Sequence, residues 1–221
     1  LLGVWFGWGI NAYIIDAIRT PIGRKKGSLA EVHPADLGAH PIKALVARTG
    51  IDAGAVDDVV WGCCDTIGPQ AGDIGRTVWL VAGMPLHVPG TTIDRQCGSS
   101  QQAIQFAAQA VMSGTQDVVI AAGIESMSRV PMGSTAMFHM KEGLGNYKSP
   151  GLEGKYPGIM WSQFMGAEMI VKKHGFSKGD LDRFALSSHE KAIAATKAGA
   201  FEREIVAVEI VRALVGSVGL V

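Results

Sequence analysis

The sequence predicts an α/β protein whose mostly parallel sheet is covered on both faces. Short apolar runs, AYIIDAI, DDVVWG and DVVIAAG, alternate with longer stretches whose apolar residues recur at helical spacing. Strands separated by helices in this way imply right-handed crossovers and parallel pairing. The 29 glycines in 221 residues supply many tight turns, and 48% hydrophobic content is enough to build a sizeable core.

AYIIDAI (12–18) reads as a buried first strand, followed by the basic, Gly-containing loop RTPIGRKKGSL. A helix is expected over 35–49, with Pro41 kinking or restarting it. The chain turns over 50–56, and DDVVWG is the second strand. The polar, Gly-rich loop CCDTIGPQAGDIGR leads to a helix around 76–82. GTTIDRQ alternates weakly and reads as a short strand, a helix follows over 99–112, and DVVIAAG (117–123) is another buried strand. Residues 124–160 hold Met, Gly, Pro and aromatic residues with little periodicity, as a long functional loop does. Helices are expected over 162–174 and 179–198, the second opening on the acidic SKGDLD. EIVAVEI (204–210) reads as a strand. Residues 1–10 read as non-native or as a buried strand extension, and 211–221 as without a clear destination. LLGVWFGWGI is too short to span a bilayer and lacks the basic start of a signal peptide.

Lys plus Arg equals Asp plus Glu at 20 each, which argues against nucleic acid or an anionic membrane as partner. Three cysteines make no disulfide framework, and no spacing of Cys and His matches a zinc site. A reduced, cytoplasmic compartment and no metal are therefore expected.

The chemistry centres on DRQCGSSQQAIQFAAQAVMSG, residues 94–114. Ala103, Ile104, Ala107, Ala108 and Val111 keep helical spacing, and Gly98, Ser99 and Ser100 stand where N-cap chemistry is wanted. Cys97 thus falls just before a helix start, where unpaired N–H groups and the helix dipole favour a thiolate. Strand, sharp turn and helix follow the logic of a nucleophile elbow with Cys in place of Ser. The local pattern fits a small buried cysteine equally well.

These motifs resemble the thiolase family, the acetyl-CoA C-acyltransferases. DRQCGSS with its alanine-rich helix is similar to the family's nucleophile segment. AAGIESMSRVPM is similar to its Gly-Gly-x-Glu-x-Met-Ser segment, with Ala122 in place of the first glycine. IIDAIRTPIGRKKGSL is similar to its opening strand and loop. The stretch from FMGAEMIVKKHGFSKGDLDRF to EIVAVEI is similar to its helical loop domain. The resemblance covers about 11–210, in the family's order. It implies a layered α/β fold of two similar halves. This chain supplies the first half, an α/β domain over 11–123 with an inserted, largely helical loop domain over 124–210.

It also implies a chemistry: acyl transfer between 3-ketoacyl-CoA or acetyl-CoA and CoA through an acylated cysteine. Coenzyme A is then substrate and product, with no other cofactor, and the intact enzyme is a homodimer or homotetramer. Cys97 matches the nucleophile, and its own N–H is expected in an oxyanion hole. Met165 matches a methionine beside the acyl pocket. Phe164 stands where some members carry a histidine that helps hold the coenzyme, so their polar contact has no counterpart there. The family's Gly-His-Pro histidine and second cysteine have no matching segment.

His33 and His40 precede prolines in a different setting and read as helix-start or solvated residues. Cys63 and Cys64 read as small residues packed beneath a loop. His87, His139, His174 and His189 read as structural or surface groups. Glu125 reads as a structural hydrogen-bonding residue before a general base, and Arg24, Lys25 and Lys26 as a solvated loop. The methionines of 127–140 and 160–169 fit an acyl pocket or core packing at the loop-domain interface equally. Two other readings follow: a decarboxylating condensing enzyme of fatty-acid or polyketide synthesis on the same scaffold, and a non-catalytic dimerising fragment.

Overall fold

The structure, a computed structural model, describes residues 11–208. It forms two compact units, one of the chain up to Thr135 and from Glu204 onward, the other of Ala136–Arg203.

In the first unit β1 (Asp58–Gly62), β2 (Gly90–Ile93) and β3 (Val119–Gly123) form a sheet in the order β2-β1-β3. Both pairings are parallel, as the sequence predicts, and Gly62 aligns with Ile93 on one side and Gly123 on the other. All three strands therefore end along one edge. Ligand sites of parallel sheets form at that carboxyl edge.

Side chains of a strand alternate between faces. Val59, Trp61 and Cys63 point to one face and join a buried cluster with Ala35, Ala39 and Ile42 of α1 (Pro34–Thr49) and Ile74, Val78 and Trp79 of α2 (Ile74–Val81). Gly62 points to the other face, against the first turn of α3 (Ser99–Met112). Helices thus cover both faces.

Three sequence expectations in this unit are corrected. Residues 12–18 form no strand, and Tyr13, Ile14 and Ile15 are exposed. An apolar run becomes a strand only where a neighbour pairs with it along its length; here the pairing is one parallel bridge, Arg19 with Ile205. EIVAVEI is reduced to that same bridge, and its last two residues, like both chain ends, lie outside the described residues. Pro41 neither kinks nor restarts the first helix, since α1 runs unbroken from Pro34 to Thr49. Proline removes one backbone hydrogen bond, but burial of Ala35, Ala39 and Ile42 anchors the turns around it. His33 caps α1 by accepting the Ala35 N–H at 3.1 Å, and Gly50 closes it at φ 68°.

α4 (Ser134–Lys141) spans the division between the units. The second unit contains α5 (Pro150–Lys155), α6 (Gln163–His174) and α7 (Lys178–Lys197). The stretch expected to be irregular thus contains two short helices. α5 starts where Ser149 accepts the Leu152 N–H and proline occupies the first turn. α7 opens with a reciprocal capping box between Ser177 and Asp180, the chemistry that SKGDLD announces. Among the described residues, no helix is long and apolar enough to cross a membrane.

Candidate active site

The turn that carries Cys97 is built from two glycines and a strained residue. A Cβ on Gly62 would lie 2.4 Å from the Ser100 nitrogen, and one on Gly123 would lie 2.0 Å from Ser100 Oγ. Gly62 and Gly123 are register partners, so together they let the start of α3 rest on the sheet edge. Cys97 precedes Gly98, the N-cap of α3, and is exposed. That exposure excludes the small-buried-residue reading. Gln96, just before it, has φ 52°, a left-handed conformation sparsely populated by side-chain-bearing residues.

Hydrogen bonds hold this turn. Asp94 Oδ1 accepts the Gln96 N–H at 2.6 Å. Ser99, 4% exposed, accepts the Arg95 N–H at 3.0 Å through Oγ and donates the same hydroxyl to the Gln96 carbonyl at 2.6 Å. Cys64 Sγ donates to that carbonyl too, at 2.8 Å. Cys64 is therefore more than loop filler.

Glu125 has the structural role the sequence favoured. Its carboxylate accepts the Cys64 N–H at 2.7 Å and Gln70 Nε2 at 2.9 Å, tying the loop after β3 to the loop after β1. Sequence reasoning missed two of its neighbours. Gln70, with no exposed surface, donates to the Asp65 carbonyl at 2.8 Å and accepts the Ser126 N–H at 2.6 Å. Asp65, also buried, accepts the N–H groups of Gly133 and Thr135 at 2.9 and 2.8 Å. In a Gly-rich polar loop neither residue carries a sequence signal that separates it from solvated neighbours. Gln70→Met keeps the volume but strands buried partners, and is expected to cost about 3 kcal/mol in urea unfolding.

Burial raises the Cys63 thiol from an ordinary 9.0 to about 12, with the Glu125 charge adding to it. Burial likewise raises Cys64 to about 11 against the opposing Ser99 hydrogen bond. Both stay protonated at neutral pH, so iodoacetamide at pH 8 is expected to modify the exposed Cys97 first, as peptide mass spectrometry reads. The folded state then holds protons that the unfolded chain releases. The contribution of these two thiols to stability is fully present below pH 9 and is expected to be lost as pH rises from about 9 to 12, and Cys63→Ala should flatten that fall in urea midpoints.

The other predicted residues are divided between the two units. Cys97 lies in the first unit, and Phe164 and Met165 lie in the second, exposed in the first turn of α6. Met127, Met132, Met137, Met140, Met160 and Met169 are exposed. His87 Nε2 lies 3.0 Å from the Gly54 carbonyl, and His174 stacks on Phe176. Arg24, Lys25 and Lys26 are exposed, as a solvated loop is. Among the described residues, no group of three or more His, Cys, Asp or Glu is placed to hold a metal ion.

Residues 12–214 match the family described as thiolase, N-terminal domain. The chain belongs to the thiolase family. It is 51% identical to a steroid 3-ketoacyl-CoA thiolase, FadA6, of Mycobacterium tuberculosis, over 90% of this chain and 49% of that protein. A 3-ketoacyl-CoA thiolase of Yersinia pestis is 40% identical over 89% of this chain and 49% of its own length. A beta-ketoadipyl-CoA thiolase of Acinetobacter baylyi is 41% identical over 90% of this chain and 52% of its own. The chain spans about half the length of these curated relatives. Within this thiolase chain, the AAGIESMSR departure has a physical reason. Ala122 faces away from α3 and its methyl group is accommodated, whereas Gly123 lies directly under Ser100.

Proposed function

We propose that the whole protein transfers acyl groups between 3-ketoacyl-CoA or acetyl-CoA and coenzyme A, with Cys97 as the nucleophile. The carrying observation is an exposed cysteine on a strained turn, between the carboxyl edge of a parallel sheet and a helix N-terminus. In the degradative direction the Cys97 sulfur attacks the 3-keto carbonyl. The bond between carbons 2 and 3 breaks, the departing carbanion takes a proton to become acetyl-CoA, and the acyl group stays on sulfur as a thioester. The thiolate of a second coenzyme A then takes the acyl group and regenerates Cys97.

Coenzyme A is substrate and product in this reading, with no separate cofactor. Met165 lines the acyl side and Phe164 the coenzyme side. Their support is exposure in the first turn of α6, where Ser162 caps the helix. A homodimer or homotetramer in the cytoplasm completes the reading. Ile104, Phe106 and Met112 stand exposed on α3, apolar surface of the kind that association covers, and the three cysteines are free.

Incubation with acetoacetyl-CoA followed by peptide mass spectrometry tests the first half-reaction. An acetyl group on the Cys97 peptide, and none on the Cys63–Cys64 peptide, is expected. No acetyl group on a Cys97 that iodoacetamide still modifies would overturn the reading for this chain.

A further inference from the structure

The peptide joining Gln96 to Cys97 is gripped at one end. Its carbonyl oxygen accepts Cys64 Sγ–H at 2.8 Å, Ser99 Oγ–H at 2.6 Å and Ser99 N–H at 3.0 Å. The bond is trans, since no cis peptide occurs among the described residues. In a planar trans peptide, C=O and N–H point in opposite directions. Donors from the loop after β1 and from the start of α3 draw the oxygen inward, so the Cys97 N–H is turned away from them. We propose that Cys64 and Ser99 are positioning residues that aim the Cys97 amide at the oxygen of an incoming acyl group. This rests on the acyl-transfer reading above.

Several observations converge on that role. Gln96 is left-handed at φ 52°, and such a backbone persists only where its surroundings hold it. Cys64 is itself fixed, because Glu125 accepts its N–H at 2.7 Å. Burial keeps its thiol protonated, and so a donor, at neutral pH. A carbonyl that accepts three hydrogen bonds is polarised, and the N–H of the same peptide becomes a stronger donor. Acyl transfer gains from such a pre-aimed donor because negative charge develops on the acyl oxygen.

Two reagents separate aim from reactivity. p-Nitrophenyl acetate acylates a thiol through a tetrahedral oxyanion; iodoacetamide alkylates it by direct displacement, with no oxyanion. Rates at Cys97 are to be measured by peptide mass spectrometry in the chain itself and in Cys64→Ala, Cys64→Ser and Ser99→Ala. Acylation in Cys64→Ala is expected to slow by roughly tenfold, with alkylation changed less than about twofold; a whole oxyanion donor is worth more than that. Cys64→Ser, which keeps a donor at that position, should recover most of the rate. Equal losses with both reagents, or none with either, would overturn the proposal, and Cys64→Ser keeps the test decisive if Cys64→Ala fails to fold. The reagent lacks coenzyme A, so an unreactive acetoacetyl-CoA would sink the acyl-CoA reading and leave this comparison standing.

Discussion

Cys97→Ala is expected to abolish the acyl-enzyme and leave the fold intact. The side chain is exposed, so its removal opens no cavity, and a surface change of this kind stays within about 0.5 kcal/mol. The chemistry has no substitute nearby. Cys63 is buried, the Cys64 thiol is engaged with the Gln96 carbonyl, and both are held protonated. On the proposed reading, loss of the Cys97 thiol should lower kcat of the whole protein by roughly 10⁴-fold or more. Single-turnover acylation by acetoacetyl-CoA, alongside urea midpoints, checks both halves of this expectation. An acyl group appearing on Cys63 or Cys64 at the unsubstituted rate would move the nucleophile elsewhere.

Gly62→Ala is expected to cost the most stability, about 3 kcal/mol or more, by forcing backbone against backbone. The new methyl carbon would lie 2.4 Å from the Ser100 nitrogen, 2.5 Å from the Ser99 carbonyl carbon and 2.8 Å from the Ser100 Cα. No rotamer relieves such contacts, so α3 must lift from the sheet and carry the Cys97 turn with it. Gly123→Ala meets a hydroxyl that can rotate, Ser100 Oγ, but also the Gly62 carbonyl oxygen at 2.8 Å. It should cost less than Gly62→Ala, and Ser100→Ala should return part of the loss in a double-mutant cycle. Ala122→Gly, one residue earlier, should cost only about 0.5–1 kcal/mol through backbone entropy. Denaturant unfolding ranks the four variants; equal costs at Gly62 and Ala122 would refute the close approach.

Both predictions stand on residues that differ in how visible they are in the sequence. The helix over 99–112 and the place of Cys97 before it follow from local periodicity and small polar residues at the start, and the structure keeps the same bounds. The strands of DDVVWG and DVVIAAG are visible for the same reason. AYIIDAI has an equally good pattern and forms no strand, because pairing belongs to the neighbour as much as to the segment. Pro41 shows the reverse case, a local breaker overruled by burial on either side.

By itself the sequence determined the alternation of strands and helices, the cysteine at a helix start and, through its motifs, the family. These depend on residues close along the chain, whose spacing and chemistry can be read directly. Only the tertiary structure decided that Gly62 and Gly123 lie together under Ser100, that Gln70 and Asp65 are buried anchors, and that Cys64 reaches the Gln96 carbonyl. Each of those joins residues about 20 or more positions apart, or a polar side chain to a burial that its neighbours do not announce. Such contacts arise from packing the loops after β1 and β3 onto one sheet edge, and no local pattern encodes where a distant loop will come to rest.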